Sequence, residues 1–490
     1  MDSFLRKIVV GGGITLAALA IAKAMVFLNY IIAARLLTAD QFGEYSIVIY
    51  LQNLVLLVAC LGVPLTITKK VSHWLARDAA KAQVVASGLL VMLLLFSSIT
   101  SILYVLLSGT IADSLYHDPQ LASVLRISSL FVFVASISAA MSALAQGCQK
   151  VKAIAITSAV AAICWQPISL LAITTYELDG AIIAMVAYYA ISAVLLYSTV
   201  RQCVMPSWSK VRALFSDRAE LRGLLWFILP AFLTGIVIAP AYWLGRTVLV
   251  LDWDFGEVGQ FQIADSLSQV LLIVPVAIGI QLLPAVSEQH ALDSANVGRT
   301  TVSLLRLAVY SLAILCIVAL PLTQIAITTL YGSQYEGALS SSILMFASAT
   351  FIASGSVVSS VILGIGRMWD ALKLNLLWLA AYLCAVFLLV PSYGSEGLAA
   401  SYAVSYAFYL LLMLWYFWKE FKISVSRMAG YALSLATFVI VFDIYLLEMG
   451  WMVRMFTSVL VAVVFVAAGY FFVLEEKERG YVRSVLRLRT

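Results

Sequence analysis

Hydrophobic and polar positions are distributed in long blocks, not in the short periods of an amphipathic helix or a half-buried strand. Charge-free apolar runs cover 45–68, 82–112, 127–149, 153–176, 180–200, 223–245, 266–287, 307–335, 337–366, 374–395, 397–418 and 455–474. Each is long enough to cross hydrocarbon about 30 Å thick, which takes about 20 residues of helix. Two further runs contain one charge each, 8–34 with Lys23 and 428–447 with Asp443. These fourteen segments, spans 1 to 14, predict membrane-crossing helices. Lipid offers no partner to unpaired backbone groups, and barrel strands would read as short alternating segments. Span 1 is longer than the apolar core of a signal peptide and is followed by Arg35 and more apolar sequence, which predicts a retained helix.

Composition narrows the class. The 490 residues are 63% hydrophobic and 11% charged, against about 25% charge in an ordinary soluble domain. That excess excludes a soluble enzyme, a nucleic-acid binder and a secreted disulfide scaffold. Cys60, Cys148, Cys164, Cys203, Cys316 and Cys384 are scattered without a C-x-x-C pair and read as apolar packing residues. His73, His117 and His290 fall outside every span, so spacing gives no metal site, and no cofactor is expected.

The charges carry more information than their sum. With the N-terminus inside, the inner connections hold Arg6/Lys7, Lys69/Lys70/Arg77/Lys81, Lys150/Lys152, Arg201 to Arg222, Arg299/Arg306, Arg367/Lys373 and Lys419/Lys422/Arg427, and the tail adds five more. The outer connections carry acids such as Asp40, Glu44, Asp113, Asp118, Glu177 and Asp179. Basic residues mark the cytoplasmic side. This predicts a multi-pass protein with both termini in the cytoplasm, as an even span count requires.

Matches within the chain at a shift of about 215 residues indicate an internal repeat. Arg35 followed by Asp40-Gln41-Phe42-Gly43-Glu44 recurs as Arg246 followed by Asp254-Phe255-Gly256-Glu257. Leu115-Tyr116 recurs as Leu330-Tyr331, and Glu177-Leu178-Asp179-Gly180 matches Gly394-Ser395-Glu396-Gly397. The expected organisation is an all-α polytopic protein of fourteen helices in two pseudo-symmetric halves. It comprises a six-helix half over 1–200, an amphipathic cytoplasmic linker over 201–222, a second six-helix half over 223–418, two appended helices over 419–474 and a basic tail over 475–490. Six is even, so the halves share one orientation.

This arrangement, with Ala34-Arg35-Leu36-Leu37 and Phe42-Gly43-Glu44-Tyr45 after span 1, resembles the multidrug/oligosaccharidyl-lipid/polysaccharide exporter superfamily. Gly256-Glu257-Val258-Gly259-Gln260-Phe261, Pro284-Ala285-Val286-Ser287 and Gly364-Ile365-Gly366-Arg367 carry the likeness further, toward the polysaccharide-repeat (O-antigen type) flippases. The resemblance implies translocation of an undecaprenyl-diphosphate-linked oligosaccharide from the inner to the outer leaflet of a bacterial inner membrane. It also implies alternating access, membrane lipids as surroundings and a polysaccharide polymerase as partner. A lipid II-type flippase and a drug/cation antiporter of the same superfamily are the alternatives.

Charge at mid-bilayer costs about 2.5–3.5 kcal/mol on insertion scales and usually faces a bundle interior. Lys23, Arg246, Arg35 and Arg126 are the basic candidates for a cationic cavity that would neutralise a diphosphate. Arginine suits that group because its planar fork gives two parallel hydrogen bonds. Plainer roles compete: Arg35 and Arg126 as interface anchors, Arg246 as the ion-pair partner of Asp265. Asp265 is also the candidate site for a proton or Na⁺ that drives the cycle. No nucleophile, base and orienting residue assemble, and an enzyme is not expected.

Overall fold

The computed structural model of the chain describes residues 3–75, 77–201, 236–273, 319–364 and 367–421, with isolated positions, Cys203 among them, elsewhere. The expected linker, the two appended helices and the basic tail lie almost wholly outside the described residues, as do the adjoining parts of spans 7, 8 and 9. All regular structure among the described residues is helical. The chain divides into two compact units, Met1–Leu251 and Asp252–Thr490.

The first unit is built from α1 (Ser3–Leu36), α2 (Ala39–Cys60), α3 (Val63–Leu75), α4 (Ala79–Thr110), α5 (Leu121–Gly147), α6 (Val151–Val200) and α7, which begins at Ile238 and runs to Asp252. Thr38 starts α2 with a capping box. Its hydroxyl accepts from the Gln41 amide and the Gln41 side chain accepts from the Thr38 N–H, so two otherwise unpaired donors are satisfied.

The structure departs from the expected continuous span over 45–68. Leu61 and Gly62 take φ of 45° and 74°, ending α2, and α3 restarts with Pro64, which has no N–H to lose. The apolar block runs unbroken through Leu61-Gly62-Val63-Pro64-Leu65, so hydropathy could not reveal the break. Thr66 and Thr68 donate their hydroxyls to the carbonyls of Gly62 (3.1 Å) and Pro64 (3.2 Å). Thr68 also approaches the Ala143 carbonyl of α5, at 3.2 Å.

α6 contains 50 residues, about 75 Å if straight, far more than one crossing needs. It reverses at Glu177, where φ 48° and ψ −122° leave the helical region. The rings of Trp165 and Tyr188, on opposite sides of that turn, lie 5.1 Å apart, so the arms run antiparallel and correspond to spans 5 and 6. Gly180 is required there: a Cβ would stand 1.9 Å from the Ala172 carbonyl oxygen. Polar side chains tie the helices in place of a hydrophobic driving force that lipid cannot supply. Asn29 donates to Ser169 (2.5 Å), Gln166 to the Met25 carbonyl (2.7 Å), and Ser128 to Gln52 (2.8 Å).

The second unit contains α8 (Phe255–Leu271), α9 (Ala338–Gly364) and α10 (Met368–Phe421). α10 is a second hairpin, reversing at Gly394 with φ 55° and ψ −130°. Tyr382 meets Tyr402 at 5.3 Å and Trp378 meets Tyr406 at 5.2 Å across its arms. Gly397 approaches the Leu389 carbonyl as Gly180 approaches Ala172, with a Cβ falling 2.3 Å from the oxygen.

The matched stretches thus carry matched local geometry. Glu177 and Gly394 share one backbone conformation, and a π-helical turn occupies Ile111–Leu115 and Ile327–Tyr331. In the first unit Gln41 donates to the Glu177 carboxylate (2.6 Å); in the second the Ser395 N–H donates to the Glu257 carboxylate (2.9 Å). The N-caps are Thr38 and Asp254, which puts Gln41 where Glu257 stands. The matching of Asp40 with Asp254 by letters is therefore two residues out of step with the caps, because aspartate caps one helix and threonine the other.

Six described helices are long and apolar enough to cross a membrane, and two of these are the hairpins Val151–Val200 and Trp369–Glu420.

Candidate functional site

Arg246 is fully buried on α7. Its guanidinium carbon lies 3.4 Å from the centroid of the Tyr50 ring of α2, and Nη1 donates to the Tyr242 carbonyl one turn earlier, at 3.3 Å. Tyr50 and Tyr242 meet edge to face at 6.5 Å. One face of the cation is therefore satisfied by π density, a contact that gains strength where water is excluded.

The surrounding residues hold α7 in register. Trp243 Nε1 donates to the Tyr116 hydroxyl (2.9 Å), which also hydrogen-bonds Thr247 Oγ1 (3.0 Å). Tyr116 follows the π-helical turn that ends α4. That turn places its ring between the two α7 side chains one helical turn apart. Among the described residues Arg246 is the one fully buried cation.

Lys23 lies on an exposed part of α1, six residues before the buried Asn29. Arg35 is exposed in the last turn of α1, where a cation complements the negative end of the helix dipole. Arg126 is exposed in the second turn of α5. Asp265 belongs to the second unit; it is buried on α8, and Gln269 donates to its carboxylate at 3.3 Å.

The aromatic pair beside Arg246, Tyr50 and Tyr242, was not singled out from the sequence. Tyr242 could have been, four residues before the arginine on the same helix face. Tyr50 lies in an earlier span, and only the fold brings it near.

The architecture is that of a multi-pass membrane protein, all-helical among the described residues. It superimposes on the lipid II flippase MurJ in an inward closed conformation with a TM-score of 0.71, at 14% identity over 93% of this chain and 98% of that one. An inward-facing MATE-family multidrug resistance transporter of the MOP superfamily matches with 0.65, at 11% identity over 84% and 98%. A MOP superfamily transporter from Pyrococcus furiosus, described as having a binding pocket of reversed polarity, matches with 0.59, at 14% identity over 84% and 95%. No curated protein sequence matches. Residues 8–290 match the family model described as "Polysaccharide biosynthesis protein", more than half of the chain, and the chain belongs to that family.

Proposed function

We propose that the protein is a flippase that carries an undecaprenyl-diphosphate-linked oligosaccharide repeat from the inner to the outer leaflet of a bacterial inner membrane. The reading takes fourteen helices in two six-helix halves plus two, termini in the cytoplasm, alternating access between the halves, and a polysaccharide polymerase as partner. Asp265 is the coupling site for a proton or Na⁺. The observation that carries it is Arg246: a fully buried guanidinium stacked on one face of Tyr50, in a family of polysaccharide biosynthesis. A cation held at membrane depth marks a path for anionic groups. Arginine suits a diphosphate because its planar fork can give two parallel hydrogen bonds.

Lys23 supports the same reading. It is exposed on the protein surface within a span, and an ammonium there is far cheaper facing a water-filled route than facing lipid tails. Lys23, Arg35 and Arg126 then extend a cationic route around Arg246.

Complementation of a deletion strain tests this. Arg246→Gln and Lys23→Gln together are expected to abolish surface polysaccharide and to accumulate undecaprenyl-linked intermediates, with the protein still present in the membrane. Arg246→Lys is expected to recover only part of the export, since it keeps the charge and loses the planar fork. Full export by the double variant would overturn the cationic route. Unchanged polysaccharide and intermediates in the deletion itself would overturn the flippase reading.

A further inference from the structure

The six cysteines look scattered in the sequence, yet two of them meet in space. Cys148 follows α5, its N–H donating to the Leu144 carbonyl at 2.9 Å, and Gln149 takes a left-handed φ of 58° that tightens the turn into α6. Cys203 follows the other end of α6, its N–H donating to the Val200 carbonyl at 2.9 Å. The two thiols are neighbours at the foot of the α6 hairpin, and both pack on the apolar cluster of Val63, Ile67, Val71 and Leu144. Cys60, by contrast, faces the Ser136 hydroxyl at 3.8 Å. The thiol pair closes the open end of the α6 hairpin. In α10 the corresponding end is closed by Arg367, which grips both oxygens of Glu420 at 2.7 and 2.6 Å.

We propose that Cys148 and Cys203 form an oxidisable dithiol, a modification site at which a peroxide converts the thiol pair into a disulfide across the base of α6. Cys203 is half-buried and Cys148 buried, so Cys203 meets the oxidant first. Its sulfur attacks hydrogen peroxide, the O–O bond breaks, and a sulfenic acid and one water form. The Cys148 sulfur then displaces the hydroxyl, which leaves as a second water with the Cys148 proton. Two thiols and one peroxide thus give one disulfide and two waters.

Burial, and then the nearby Cys203 thiol, push the Cys148 thiol up to about 12. The thiolate is the attacking form, so the closing step is slow at neutral pH and speeds up as pH rises. Lys150 and Arg201 flank the pair in sequence. The orientation proposed above therefore places it in the cytoplasm, where thiols are kept reduced and a dithiol reports oxidation. That compartment rests on the proposed orientation; the pairing of the thiols does not.

The test uses the full chain purified in detergent and treated with hydrogen peroxide. Digestion without reductant followed by mass spectrometry is expected to yield one peptide pair joined through Cys148 and Cys203, lighter by two hydrogen atoms, forming faster in alkaline buffer. Cys148→Ser is expected to leave Cys203 trapped as a sulfenic acid that reacts with dimedone. If the natural chain accumulates that sulfenic acid without the joined peptides, or if Cys203 pairs with another cysteine, the proposal fails. That reading needs no variant to fold. A membrane-impermeant maleimide separates the two claims: labelling of Cys203 in inverted vesicles is expected. Labelling only in intact cells would overturn the cytoplasmic placement and leave a joined peptide pair standing.

Discussion

The two helical hairpins solve one geometric problem with different chemistry. α6 turns on Glu177 and α10 on Gly394, at nearly the same φ and ψ. That conformation has positive φ and belongs to the first corner of a type II′ turn, which glycine adopts freely and a residue with a Cβ does not. The first hairpin accepts the strain and gains an anchor, since the Glu177 carboxylate receives the Gln41 amide. The second removes the strain and moves the carboxylate to the neighbouring helix, where Glu257 accepts the Ser395 N–H. At the open ends the contrast recurs: a thiol pair in one, a bidentate ion pair in the other. Backbone shape is held in common, while the side chains that secure it are exchanged.

The harshest way to break the comparison is to fill the glycines that both hairpins share. Gly180→Ala and Gly397→Ala each drive a Cβ against a backbone carbonyl that cannot swing aside. Each is expected to cost about 3 kcal/mol or more, seen as loss of folded protein or a large fall in Tm in detergent. A variant with unchanged Tm would show that its hairpin does not close as described.

The turn residues come next. Gly394→Ala is expected to cost about 1–3 kcal/mol, from the positive φ and from a Cβ set 2.9 Å from the Glu257 carboxylate. Glu177→Gly relaxes the same conformation but gives up the Gln41 anchor. Its net effect on Tm is expected to be small and, with Gln41→Ala already in place, clearly stabilising by about 1 kcal/mol. If Glu177→Gly destabilises equally in both backgrounds, strain is not the difference between the turns.

The smallest effect is expected at the base of α10. The side chain of Arg367 is 45% exposed, and Tyr416, which also touches it at 3.3 Å, raises its pKa, followed by the nearby carboxylates of Glu420 and Asp370. A double-mutant cycle between Arg367→Gln and Glu420→Gln is expected to give about 0.2–1 kcal/mol of coupling that shrinks with added salt. Coupling well above that range would mean the base is drier than its exposure suggests.

Much of this fold was legible in the sequence, and the reasons for the remainder are physical. Blocks such as 127–149 located α5 because hydropathy records which residues lipid tolerates. The hairpin turns were visible as Glu177-Leu178-Asp179-Gly180 and Gly394-Ser395-Glu396-Gly397, where polar letters interrupt the apolar run. The break at Leu61 was not visible, because left-handed backbone inside an apolar block leaves hydropathy unchanged. At the candidate site Arg246 was legible as a basic residue at the end of span 7, but its full burial was not. Nor was its Tyr50 partner, being far away in sequence, or the meeting of Cys148 with Cys203. Spacing along a chain carries no information about partners that only tertiary packing brings together.

The tight turns at Glu177 and Gly394 also bear on how the chain is made. A hairpin whose arms are joined by so few residues leaves no stretch long enough to wait outside the bilayer while its second arm is synthesised. Each pair of arms is then committed to the membrane as one insertion unit; in the orientation proposed above, its reversal is threaded across ahead of both helices. The turns are suited to that passage: Glu177 and Asp179 in one and Glu396 in the other are acidic, and acidic residues resist translocation far less than lysine or arginine. A single lysine engineered at either reversal would therefore be felt during biogenesis, in which way the hairpin enters, before it could be felt in the finished protein.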